Sequence, residues 1–201
     1  LKVSNRSLKT NSIESDNHQT KSLYFIALVP GENLRARVKM LKEEIRDRFG
    51  AVHALKSPAH ITLQMPFRRK AVDEPDIIRT IQGVVENHSP FEVELQGFDC
   101  FPPRVIFLKV TDHQPILKLH EKLSFHLKTK LDFTTKELTT KVHPHMTIAT
   151  RDLTEELFEK AWPEYRNRTF LAGFTAKQLF LLKHNGKFWE IQREFLFKDR
   201  S

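Results

Sequence analysis

Two short segments share one alternation, and they constrain the fold more than anything else in the chain. The first is SPAHITLQMPF, residues 57–67, and the second is KVHPHMTIATRD, residues 141–152. Each interleaves a His-x-Thr pair with aliphatic residues: His60, Ile61, Thr62, Leu63, and then His145, Met146, Thr147, Ile148. Residues two apart on a strand share a face. The pattern predicts two strands that bury their aliphatic residues and present an imidazole beside a hydroxyl on the opposite face. The two histidines stand 85 positions apart, so any meeting between them depends on the whole intervening chain.

That chain reads as alternating strands and helices. SLYFIALVP is a buried strand closed by Pro30 and Gly31. Leu34, Val38, Leu41, Ile45 and Phe49 recur at steps of four, three, four and four, which is one face of a helix stopped by Gly50. A second helix covers DEPDIIRTIQGVVENH. Two strands, FEVELQGFDCF and RVIFLKVT, follow around Phe101-Pro102-Pro103. QPILKLHEKLSFHLKTKL is a third helix, and LTEELFEKAWPEYRNR is a fourth, interrupted at Pro163. The tail, FTAKQLFLLKHNGKFWEIQREFLF, reads as two strands turned at His184-Asn185-Gly186. The order strand–helix–strand–helix occurs twice, once around each His-x-Thr strand. Residues 1–21 are polar and aperiodic and are expected to form a disordered arm, with one domain over 22–201.

Two histidines and two threonines suit the cleavage of a phosphodiester. A base must activate the nucleophile and an acid must protonate the departing oxygen. Histidine can do either near its ordinary pKa. The threonine hydroxyls can donate to the non-bridging phosphate oxygens, where charge develops. Ten histidines and 15 threonines make a chance His-x-Thr unsurprising. One such match, His18-Gln19-Thr20, lies in the polar arm without aliphatic alternation and is assigned no role. A lone strand of this kind is ambiguous; two, each following a proline-containing segment in corresponding places, favour a shared site.

Other chemistries are poorly served. No G-x-S-x-G elbow and no glycine-rich phosphate loop occurs. His143 and His145 form H-x-H, but no carboxylate repeats near either strand, so neither a metal nor another cofactor is expected. The one cysteine, Cys100, excludes an internal disulfide; between Phe98 and Phe101 it reads as buried and inert, in a cytoplasmic protein. No run of apolar residues is long enough for a membrane span. The formal net charge is +8, of which the arm supplies +2 (Lys2, Arg6, Lys9 and Lys21 against Glu14 and Asp16), leaving +6 on the body. That balance favours acidic partners, nucleic acid first. Nothing calls for an obligate protein partner, and a monomer is expected.

With these residues in view, the sequence resembles the 2H phosphoesterase superfamily, defined by two H-x-T/S motifs, and within it the bacterial 2′-5′ RNA ligase or RNA 2′,3′-cyclic phosphodiesterase branch. FPPRVIFLKV and VHPHMTIATRD are similar to segments of that family, and residues 22–198 fall under the resemblance. It implies a bilobal, pseudo-twofold α+β fold, two antiparallel sheets facing a central groove with helices outside. It implies hydrolysis of RNA 2′,3′-cyclic phosphate ends or 2′,5′-phosphodiester bonds without a metal, with reversible RNA ligation as a further activity. His60 and His145 would be the acid–base pair, and Thr62 and Thr147 the phosphate donors. The substrate would be an RNA end or a small cyclic-phosphate nucleotide. Secondary substrate contacts are expected from His143 and Lys141, from Arg68 just past the first strand, from Phe67 by stacking, and from Arg151. The family often has an arginine at the place held here by Thr150, so Arg151 reaches the groove only if its strand ends first. Two other readings stay open: the same fold acting on another cyclic phosphodiester such as ADP-ribose cyclic phosphate, and a non-catalytic RNA-binding module.

Overall fold

The computed structural model describes residues 21–198. The predicted arm, with His18 and Thr20, lies outside the described residues except for Lys21, which opens the first strand. That strand, β1 (Lys21–Leu28), is apolar on both faces. Tyr24, Ile26 and Leu28 enter the main core, while Phe25, Ala27 and Val29 join a smaller cluster with Phe180 and Leu182. A strand buried on both sides has to be central.

α1 (Glu32–Phe49) follows and buries its predicted face. It ends where Gly50 turns left-handed at φ 72°, its N–H donating to the Arg46 carbonyl at 2.8 Å. The chain continues through β2 (Ile61–Lys70), α2 (Glu74–Val85), β3 (Phe91–Phe101), β4 (Val105–Val110), α3 (Gln114–Leu131), β5 (His145–Ala149), α4 (Glu155–Tyr165), β6 (Leu171–Ala176), β7 (Gln178–His184) and β8 (Trp189–Leu196).

All strand pairings are antiparallel, in the order β6-β3-β4-β5-β2-β1-β7-β8. The fold is thus an α+β arrangement around one antiparallel eight-stranded sheet. The two predicted sheets are its four-stranded halves, and they meet at a single register pair, Ile61 with Met146. Each motif strand is backed by the helix that leads into the other: α1 packs on β5, and α3 packs on β2. Burial of α1 and α3 therefore sets the relative position of β2 and β5.

Four details differ from the sequence reading. The tail forms three strands, because the chain leaves the first half at β6, paired with β3, and enters the second at β7, paired with β1. Apolar alternation runs through Lys177 and hides the crossing. β2 runs on through Pro66 to Lys70, so Arg68, Arg69 and Lys70 are strand residues rather than a turn. Pro66 is tolerated because the β1 register shifts between Gln64 and Phe67, where no ladder bond is asked of it. α4 is not interrupted at Pro163. The proline falls in the last turn, and Arg166 N–H still reaches the Trp162 carbonyl at 3.0 Å. Cys100 is half-buried rather than buried, and burial with Asp99 beside it pushes its thiol pKa up, which keeps it unreactive.

Candidate active site

Ile61 and Met146 are fully buried and point into the main core. Alternation then turns their neighbours to the opposite face of the sheet. One step either way along the antiparallel pair sets His60 across from Thr147 and Thr62 across from His145. The two imidazoles are thus diagonal, with a hydroxyl beside each, at the seam between the two halves. His60, Thr62 and Thr147 line a cleft of about 510 Å³, with Phe25 on its wall. His145 itself is outside this lining, and its ring packs against Phe101 at 5.1 Å and Phe107 at 4.8 Å. His60 is held the same way, against Phe25 at 4.8 Å.

Both rings are oriented by the backbone two residues before them. His60 Nδ1 is 2.8 Å from the Pro58 carbonyl oxygen, and His145 Nδ1 is 2.5 Å from that of His143. A carbonyl oxygen only accepts, so each Nδ1 carries the proton. That leaves Nε2 of each neutral ring with a free lone pair, able to take a proton or, once charged, to give one. Each proline-containing approach segment therefore supplies the acceptor that fixes one tautomer.

The two rings differ in their surroundings. Burial, then the charge of Lys42, pushes the His60 pKa down from the ordinary 6.5 to about 4, against the opposing pull of the Pro58 bond. Burial also lowers that of His145, with smaller contributions from His143 and His113. Lys42 itself is 3% exposed. Its ammonium donates to the carbonyl oxygens of Ser57 at 3.0 Å and Pro58 at 3.4 Å. The Pro58 oxygen thus receives both Lys42 and His60. Loss of water around it brings the Lys42 pKa down to about 8.

Acid should expose this arrangement in the stability of the fold. Above pH 6.5 His60 is neutral folded or unfolded and adds no pH dependence. Below it the unfolded chain takes up a proton that the folded chain refuses until about pH 4. Stability therefore falls as pH drops through that window, by at most about 3 kcal/mol for this one group, less the solvent screening of its part-exposed ring. Urea unfolding from pH 7.5 to 4 should show a shallower loss for His60→Gln than for the unchanged protein. Equal slopes would contradict the depressed pKa.

The remaining predicted contacts divide. Arg151 lines the cleft. β5 stops at Ala149, and Arg151 takes a left-handed φ of 54°. The next residue, Asp152, fixes this turn by accepting from the N–H groups of Val52 at 2.8 Å and His53 at 2.7 Å. His143 contributes its carbonyl to His145, while its exposed ring leans on Phe101 and His113, outside the cleft lining. Lys141 is exposed and precedes β5 by four residues, also outside that lining. Arg68 pairs in register with Leu23 at the outer end of β2 and does not line the cleft, although Leu23 does. Phe67 is a core residue and not a stacking platform: it is 4% exposed and packs between Tyr24 and Phe133. It shares the phase of Ile61 and Leu63 on β2, so plain alternation already places it on the core face with Tyr24.

Sequence reasoning missed several cleft residues. His53 and Lys56 come from a short 3-10 turn, and His184, Lys187 and Trp189 from the β7–β8 hairpin. These sit in a single short turn, at strand ends and at a hairpin tip, where no periodicity betrays them. Lys42 left a trace: it lies four residues after Val38 and three before Ile45, on the apolar side of α1. Among the described residues no group of three or more His, Cys, Asp or Glu side chains is placed to hold a metal ion, and no helix is long and apolar enough to cross a membrane.

Comparison with known proteins agrees with this fold. A protein of Geobacillus sp. (strain WCH70) that bears a provisional phosphoesterase name is 27% identical over 178 residues, 86% of this chain and 95% of its own length. Among solved structures, TT0787 of Thermus thermophilus superposes with a TM-score of 0.64 at 20% identity, over 89% of this chain and 100% of that one. E. coli LigT complexed with 3′-AMP gives a TM-score of 0.64 at 13% identity, over 90% and 100% of the two chains. These likenesses establish the shared fold. The family model of the 2′-5′ RNA ligase superfamily matches residues 30–188, most of the folded chain, and so this chain belongs to that superfamily of 2H phosphoesterases.

Proposed function

We propose that this protein is a metal-independent phosphodiesterase that opens RNA 2′,3′-cyclic phosphate ends or cleaves 2′,5′-phosphodiester bonds. The observation that carries the reading is the pair of tied rings: each Nδ1 faces a backbone carbonyl, which leaves two Nε2 atoms on one face of the β2–β5 seam. One neutral and one protonated imidazole supply both proton transfers, so no metal-bound water is required by the chemistry.

For a cyclic phosphate the steps balance as follows. His60 Nε2 takes a proton from a water whose oxygen attacks phosphorus. The phosphorus–O3′ bond breaks, and His145 gives its Nε2 proton to O3′, leaving a 2′-phosphate. Thr62 and Thr147 donate to the non-bridging oxygens. The same steps in the same direction, with an RNA 5′-hydroxyl in the place of water, join ends by a 2′,5′ bond, and their reversal, with O3′ attacking phosphorus and the 5′-oxygen leaving, cleaves that bond. The base role falls to His60 because Lys42 opposes its protonation, whereas His145 has only imidazoles as charged neighbours. The binding of nucleotide or phosphate ligands by E. coli LigT, as in its complexes with 3′-AMP, ATP and phosphate, supports a nucleotide substrate.

A substrate panel tests the reading: 2′,3′-cyclic nucleotides, 2′,5′-linked dinucleotides and ADP-ribose cyclic phosphate, each with excess EDTA. Turnover of either of the first two, undiminished by EDTA, is expected. Turnover of ADP-ribose cyclic phosphate alone would move the substrate. Salt-sensitive RNA affinity with no turnover of any member would leave only a binding module.

A further inference from the structure

We propose that a second cleft, adjoining the catalytic one, holds the penultimate nucleotide of an RNA end, so that the protein recognises a chain terminus in preference to a free mononucleotide. This rests on the phosphodiesterase reading above and adds a binding site to it. The second cleft, of about 400 Å³, lies between the start of α1, the segment leading to His60 and the tip of the β7–β8 hairpin. It shares Lys56, Ser57 and Trp189 with the catalytic cleft, so the two adjoin across the ridge these residues form. A chain whose terminal phosphate sits between His60 and His145 can therefore run on into it.

Its chemistry fits one nucleotide. Arg35, Lys39 and Lys56 offer cationic ends against one acid, Glu32. Lys39 spends part of its charge on Glu43 at 3.6 Å. Among the described residues neither Arg35 nor Lys56 has a carboxylate within ion-pair distance. Unneutralised cations on a concave wall favour a phosphodiester. Beside them stands Phe188, 40% exposed, a large ring at a hairpin tip with the Lys187 ammonium 5.1 Å from its centroid. The tip is pre-formed: Asn185 Oδ1 accepts from Lys187 N–H at 2.9 Å and from Phe188 N–H at 2.7 Å. Its neighbour Trp189 packs edge-on to Phe25 at 4.6 Å, which ties the tip to the wall of the catalytic cleft. An exposed ring held in place next to cations is what a stacked base over a paired phosphate requires.

The test compares two reaction products by calorimetry, a nucleoside 2′-phosphate and a trinucleotide ending in the same 2′-phosphate. Binding is read without turnover, so chain length is isolated from catalysis. The unchanged protein should bind the trinucleotide about tenfold more tightly or better. Phe188→Ala and Arg35→Ala should each erase most of that gain while leaving affinity for the mononucleotide as it was. Equal affinity for both lengths in the unchanged protein overturns the subsite, as do variants that weaken both lengths alike. Binding of neither product would overturn the phosphodiesterase reading, and the subsite with it.

Discussion

His60→Ala and His145→Ala should each lower turnover of a 2′,3′-cyclic nucleotide by about 10² to 10⁴, the usual size of a lost acid or base. The two losses should not add. Once one proton transfer is gone the other ring has little left to contribute, so the double variant should fall only slightly below the worse single one. Unfolding is a weak rival explanation, because both rings lie on the cleft face while Ile61 and Met146 carry the core packing beneath them. The pH profile gives a second reading of the same pair. In kcat/KM, which reports the free protein, His60 must be neutral and His145 charged. With His60 at about 4 and His145 below the ordinary 6.5, the maximum should lie on the acid side of 6.5. A bound phosphate anion raises both values, so the kcat maximum should sit at higher pH. A flat profile, or a single variant with unchanged turnover, contradicts the pairing.

The second large effect belongs to Lys42, whose ammonium is held by the Ser57 and Pro58 carbonyls and which acts as a positioning residue. Its buried ammonium shares the Pro58 carbonyl with His60 and opposes the ring's protonation. Lys42→Met should therefore move the His60 titration, and with it the acid limb of the pH–rate profile, upward by about one to two units. Burial acts in the same direction and is the larger cause, so His60 should stay below 6.5 in the variant. The other charge that bears on His60, that of His145 on β5, is unchanged by the substitution, as are His53, Lys56, Arg151 and His184, which line the same cleft. Lys42→Arg should keep the low titration if its longer side chain still reaches the carbonyls of Ser57 and Pro58. A merely structural lysine would lower stability on substitution and leave the His60 titration where it was. That unchanged titration is the result that would sink the role.

What could be read in the sequence was periodic. The faces of α1 to α3, the strand phase of both motifs and the Asn-Gly hairpin all appear as spacings of apolar residues or turn residues. Ile61, Leu63, Met146 and Ile148 are buried as alternation requires. What could not be read depends on register between distant strands. Met65 shares the phase of Ile61, Leu63 and Phe67, yet shifts in the β1–β2 register turn it to the cleft and bury Gln64 instead. The end of β6 and the start of β7 look like one strand until their partners, β3 and β1, are known. The second cleft is harder still to read, since Arg35, Lys56 and Phe188 come from three separate elements. Lys42 sits between these cases. Its place on the apolar side of α1 was visible, but its purpose depends on carbonyls of a loop 15 residues away in sequence.

The central claim is that His60 and His145 present free Nε2 atoms to one phosphate. Nitrogen-15 spectra of the histidine rings, recorded with and without a nucleoside 2′-phosphate, test it most directly. Without ligand both rings should show a protonated Nδ1 and an unprotonated Nε2. Addition of the ligand should move the Nε2 resonances of both rings together toward the protonated position while Nδ1 keeps its proton. A response from only one of the two rings, or Nε2 protonated and Nδ1 bare in the free protein, would contradict the shared site.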